Sequence, residues 1–134
     1  MLLLSLLNDE EKGYFFDLLL KIIAFDGKVT PDDEQSIINT FQSELGEYKY
    51  QSSDKTFEEL LEYFKEKSKV VKNIVLLNVF NVSLLDEWYS AEEHFMIEKV
   101  QENLGITEKK GLELKRLVYA ARDLRERVKR VISE

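Results

Sequence analysis

Asp26 and Glu34 are the side chains whose type and spacing best fit chemistry beyond packing. They lie in the stretch Ala24-Phe25-Asp26-Gly27-Lys28-Val29-Thr30-Pro31-Asp32-Asp33-Glu34, an acidic turn between two segments of helical periodicity. Carboxylates on either side of a tight turn can offer oxygen ligands to a hard divalent cation, with Asp32, Asp33 or Asp86 as further donors. The stretch is no EF-hand loop, because no D-x-D-x-D-G series precedes the glutamate. The same residues also have a plainer use. Asp26 can accept hydrogen bonds from the turn's backbone, Gly27 permits the turn, and Glu34 faces the positive end of a helix.

Two further groups of residues carry candidate chemistry. The stretch Leu84-Leu85-Asp86-Glu87-Trp88-Tyr89-Ser90-Ala91-Glu92-Glu93-His94 echoes the first turn. If the two turns meet, His94 joins the acids and shifts the preference toward a transition metal. Otherwise it is a solvated histidine at a helix start. Trp88 and Tyr89 either pack against a neighbouring helix or form a partner-binding patch. The other group is basic: residues 109–130 hold nine Lys and Arg against three acids, a local charge of +6. Taking +6 from the chain's −7 leaves −13 on the rest. Arg122, Arg125, Arg127 and Lys129 can dock an anionic partner, or simply occupy solvated faces and complement the helix C-terminus. Nucleic acid is not expected, since the −13 remainder would repel it.

Enzymatic constellations are poor. One His, no Cys, no G-x-S-x-G, no phosphate loop and no H-E-x-x-H leave only a carboxylate pair for acid–base work. No apolar pocket can be inferred around these acids. A non-enzymatic protein is therefore expected, and a metal-dependent hydrolase is the weakest reading.

The elements that must position these residues read as helices. Asn8 and Glu11 form a capping-box pattern before Phe15, Leu18, Leu19, Ile22 and Ile23, with Leu20 and Phe25 widening the stripe. Gly27 closes that helix. Thr30 caps the next, Pro31 takes its favoured first position, and Ile37, Ile38, Phe41 and Leu45 run to Gly46. Residues 47–55 are polar and aperiodic, hence a loop. Thr56 and Glu59 open a helix through Leu60, Leu61 and Phe64, with a break near Ser68. The run from Val70 to Leu85 is apolar nearly all round, as a central helix would be. A buried strand is the rival, but no second strand exists to pair with it. Ser90 caps a helix with Phe95, Met96, Val100 and Leu104 that stops at Gly105. Thr107 caps the last, in which Leu114, Leu117, Val118, Ala121, Leu124 and Val128 share a face. The expectation is an all-α, single-domain bundle of about six to seven helices over residues 1–134.

Aligning Asp26 with Asp86 pairs Thr30 with Ser90, Asp32-Asp33 with Glu92-Glu93, and Ile37 with Ile97. After a one-residue deletion, Leu45-Gly46 meets Leu104-Gly105. This predicts a pseudo-two-fold helix–acidic turn–helix repeat with halves near 9–46 and 69–105, followed by a C-terminal helix over 107–131. The pattern Ala24-x-Asp26-Gly27-x-Val29-Thr30-x-x-x-Glu34 in a small acidic helical domain resembles the TerB-like family. That family includes the tellurite-resistance protein TerB and the N-terminal domains of certain membrane-anchored J-domain co-chaperones. The resemblance spans roughly Glu10 to Val128. It implies a helical bundle with an acidic metal-binding surface and a role in stress-related bacterial complexes with protein partners. It implies no reaction.

Composition sets the remaining bounds. Hydrophobic content of 44% with 34% charged residues suits a globular chain, and one Pro among 134 residues leaves room for long helices. Without Cys there are no disulfides or thiolate sites. The apolar opening Met1 to Leu7 lacks the positive flank and length of a secretory signal, and Ile74–Leu85 is too short to span a bilayer. Cytoplasmic residence is expected. A divalent metal ion is the candidate cofactor, and no other is assigned.

Overall fold

The structure, a computed structural model, describes residues 3–25, 30–84 and 90–134, apart from the side chains of Thr40 and Glu44. A single 3-10 turn, Leu4–Leu6, precedes six α-helices: α1 Asp9–Ile23, α2 Pro31–Leu45, α3 Phe57–Lys65, α4 Lys69–Ser83, α5 Ala91–Asn103 and α6 Glu108–Ser133. No strand occurs among the described residues. The all-α bundle expected from periodicity is the fold observed.

Each helix starts where its cap dictates. Glu11 N–H donates to Asn8 Oδ1 and Asn8 N–H to Glu11 Oε1, both at 2.8 Å. The same reciprocal pair joins Thr56 and Glu59 at the head of α3. Ser68, Ser90 and Thr107 cap α4, α5 and α6 through the third backbone N–H of the helix. Such caps contribute about 1 kcal/mol each by satisfying donors that the helix leaves orphaned. Gly46 and Gly105 follow α2 and α5 with φ of 66° and 68°, a conformation that costs a side-chain-bearing residue dearly. The first helix ends sooner than its motif suggests, at Ile23, with Ala24 as its C-cap.

The buried side chains form one continuous cluster. Its largest fully enclosed members are Phe15, Phe16, Phe64 and Phe80, each removing apolar area worth about 1.5–3 kcal/mol from water. The apolar run read as a central helix is α4, and Ile74 to Phe80 are buried. Asn78, wholly enclosed within it, escapes the cost of a lost partner because its Nδ2 donates to Ile74 O at 2.9 Å. Val70 departs from the reading, being exposed at the first turn.

α1 packs on α3 and meets α4 and α5, while α4 and α6 share the most extensive helix–helix contact. α2 joins through Phe41, stacked on Phe16 with ring centroids 5.0 Å apart, and through buried Leu45. Gly111 lets α6 approach the end of α5, because a Cβ there would overlap the Gln101 amide. That amide in turn donates to Thr107 O at 3.0 Å, lacing the α5–α6 corner.

Candidate functional site

The acidic turn is described only from Thr30 onward. Thr30 N–H donates to Asp33 Oδ2 at 3.0 Å, and Asp33 N–H donates to Thr30 Oγ1 at 3.1 Å. The backbone N–H of Thr30, then its hydroxyl, holds the Asp33 carboxyl below the usual carboxylate range. Asp33 is thus engaged as a cap. Asp32 is exposed and Glu34 half-buried on the same turn. Asp26, Asp86, Trp88 and Tyr89 lie outside the described residues. His94 sits in the first turn of α5, with Nε2 2.8 Å from Glu98 Oε1 one turn along. Among the described residues no three His, Asp or Glu side chains converge on a point fit for a metal ion.

The two copies of the sequence echo agree in their local grammar. Ser90 Oγ accepts from Glu93 N–H at 3.1 Å, as Thr30 Oγ1 does from Asp33 N–H. Each helix is then followed by a glycine of positive φ, Gly46 or Gly105. They differ in surroundings. Glu93 and three apolar residues of α5 are buried, whereas α2 encloses only Phe41 and Leu45 among its described side chains.

A carboxylate centre absent from the sequence reading lies midway along α1. Asp17 is 5% exposed and accepts from the Tyr50 hydroxyl, the Ser53 hydroxyl and Ser53 N–H. Burial, followed by the hydrogen bond to Asp17, pushes the Tyr50 phenol well above its ordinary range. Burial and the Asp17 charge also raise Tyr48. The segment after α2 is therefore a strap held against the core, although it is polar and aperiodic. Nearby, buried Glu11 meets Lys67 Nζ at 3.4 Å, and the Tyr63 hydroxyl donates to Glu10 at 2.8 Å. Two signals were available in the sequence. Asp17 interrupts the apolar positions of α1, and Tyr48-x-Tyr50 alternates as an extended segment does.

The basic helix shows the clearest departure from a closed domain. In its first half Gly111, Leu114 and Val118 are buried. From Tyr119 to Glu134 every residue is exposed except half-buried Ala121. The apolar face read from sequence thus divides: Leu114 and Val118 enter the core, while Leu117, Leu124 and Val128 remain 57%, 62% and 48% exposed. Val131 and Ile132 extend the stripe, also exposed. Arg122, Arg125, Arg127 and Lys129 stand in this half. Arg122 Nη2 lies 3.1 Å from Asp123, and Lys129 Nζ 3.3 Å from Glu126.

A second apolar surface lies between the end of α1, the start of α3 and α5. It is a groove of about 490 Å³ lined by Ala24, Phe25, Phe57, Phe95 and Met96, with Lys21 and Lys99 at its rim. Phe95, read as part of the α5 core stripe, is exposed here, and the Lys99 ammonium sits 5.8 Å from its ring centroid. Among the described residues no helix is long and apolar enough to cross a membrane. No family model, curated protein or solved structure matches the chain.

Proposed function

We propose that this chain is a non-enzymatic interaction module of the cytoplasm that captures an anionic protein partner through the second half of α6. The observation that carries this reading is the coincidence, on one exposed half-helix, of an apolar stripe with five basic side chains. Leu, Val and Ile side chains each gain about 1.5–3 kcal/mol on burial, so a surface of this kind favours association. The basic residues set the sign of the partner. The resemblance to TerB-like domains supports a place in a stress-response complex related to tellurite resistance.

The test is capture from a lysate of the native host by the tagged chain, compared with a variant carrying Gln at Arg122, Arg125, Arg127 and Lys129. Retained proteins that disappear with the variant, and at high salt, support the reading. An unchanged set of retained proteins overturns it.

A second reading has the acidic turn of Asp26 and Glu34 hold a divalent cation. Its support is the family resemblance, together with the commitment of Asp33 to its cap, which leaves exposed Asp32 and half-buried Glu34 as the donors on that turn. A metal at a hundred times its dissociation constant stabilises by about 2.7 kcal/mol, a shift of several degrees in Tm. Melts with chelator and then with Ca²⁺, Mg²⁺, Mn²⁺ and Zn²⁺ should show that shift. Asp26→Asn with Glu34→Gln should abolish it. No shift with any metal reduces the turn to a helix start.

A further inference from the structure

We propose that the free half of α6 pairs with an acidic amphipathic helix of its partner, as one strand of a short coiled coil; the inference rests on the anionic-partner reading above. The seam is written in heptads. Leu114, Ala121 and Val128 occupy one core position and Leu117, Leu124 and Val131 the other, so every core position over this span is apolar. A strict repeat of 3.5 residues is the seam of helix-to-helix packing, narrower than the stripe of a helix lying on a broad core. The body buries Leu114 and half-covers Ala121 on this seam, and leaves its other members exposed. The exposed members run from Leu117 to Val131, about 22 Å of helix at 1.5 Å per residue.

Charge selects the occupant. Arg125 and Arg127 flank the seam on its two sides, at the positions that choose partners in coiled coils. Among the described residues neither is in an ion pair. The acids of this half, Asp123 and Glu126, lie on the outer face, where they meet Arg122 and Lys129. Beyond Tyr119 the one acidic residue at a flanking position is Glu134, past the last seam residue Val131, so along the exposed seam a second copy would offer no complement to Arg125 or Arg127. The acidic flank residue Glu113 belongs to the packed half and already meets Lys110 at 3.4 Å. A helix with Leu or Val on its seam and Glu or Asp beside it satisfies both stripe and charge. A lipid surface fits less well, because the stripe lacks the Trp and Phe typical of interfacial helices.

The probe is a labelled synthetic peptide about three heptads long, with Leu on the seam and Glu at the flanks. Its fluorescence anisotropy is followed on titration with the full chain. Saturable binding that weakens with salt is expected. Asp at both Leu124 and Val128, exposed positions whose folding is checked by circular dichroism, should weaken it by roughly tenfold or more. The same peptide with Lys at the flanks should not bind. Equal binding of both peptides removes the charge argument and overturns the proposal. So does absence of binding, whether the chain instead sediments as a dimer, pellets with phosphatidylserine vesicles, or does neither. If the peptide fails while lysate capture still needs the four basic residues, the partner is anionic but not a helix of this kind. If both fail, the reading beneath the inference falls as well.

Discussion

Leu114 and Leu124 stand on the same seam of the same helix, yet Leu114 is 7% exposed and Leu124 is 62%. The pattern that makes α6 amphipathic does not change between them. What changes is whether α4 lies opposite, and the body ends before the seam does. Periodicity therefore reports which face of a helix asks to be covered; it cannot report what covers it. In the first half the answer lies within the chain. In the second half the described residues leave that face exposed.

The sharpest way to break this comparison is to truncate each leucine in turn. Leu114→Ala should cost about 2–5 kcal/mol of unfolding free energy, through lost burial and the cavity left against α4. Leu124→Ala should cost about 0.5 kcal/mol or less, the usual range for exposed positions. Urea unfolding followed by circular dichroism measures both. Similar losses would show that the second half docks on the body in solution.

The same contrast explains how far the sequence could be read. Helix starts were legible because caps are local: Asn8, Thr30, Thr56, Ser90 and Thr107 each act on a backbone group three residues ahead. The central helix α4 was legible through the density of its apolar residues and the lack of any strand to oppose a strand. The Asp17 centre was not, because its donors, Tyr50 and Ser53, lie more than thirty residues away in a stretch without period. The division of the α6 face was hidden for the same reason, since burial there depends on where α4 ends. Of the proposed metal donors, Asp33 and His94 prove to have local partners, Thr30 and Glu98. Both pairings follow from helix spacing and were within reach of the sequence.

Carboxylates sharpen the comparison at an intermediate scale. Asp17 in the body accepts from three donors while almost fully buried. Asp123 on the free half meets Arg122 in water, at 69% side-chain exposure. Asp17→Ala leaves the Tyr50 and Ser53 donors without their acceptor, a loss of about 2–3 kcal/mol. Asp123→Ala should change stability by about 0.5 kcal/mol or less, as exposed ion pairs do. The two urea midpoints decide the matter. A large effect at Asp123 would mean that the free half is tied into the folding unit by its charges.

Alkaline titration gives the smallest effect and separates the halves by a different property. Burial, then the hydrogen bond to Asp17, raises the Tyr50 phenol; burial, then the hydrogen bond to Glu10, raises that of Tyr63. A phenol raised on folding binds its proton more tightly in the native state. Its contribution is complete below the ordinary tyrosine value of about 10 and is lost as pH climbs from there toward the native value. The urea midpoint should therefore hold up to about pH 10 and fall as pH rises beyond it. Tyr50→Phe should make that decline shallower, because one of the groups whose deprotonation drives it is gone, while Tyr63 remains. Changing Leu124 and Val128 to Ala should leave the slope as it is, since these side chains stand on the exposed seam and the raised phenols lie in the body. If the seam variant flattens the decline too, the two regions share one cooperative transition through contacts that α6 makes beyond Val118. A partner helix of the kind proposed would then have to displace those contacts before it could bind.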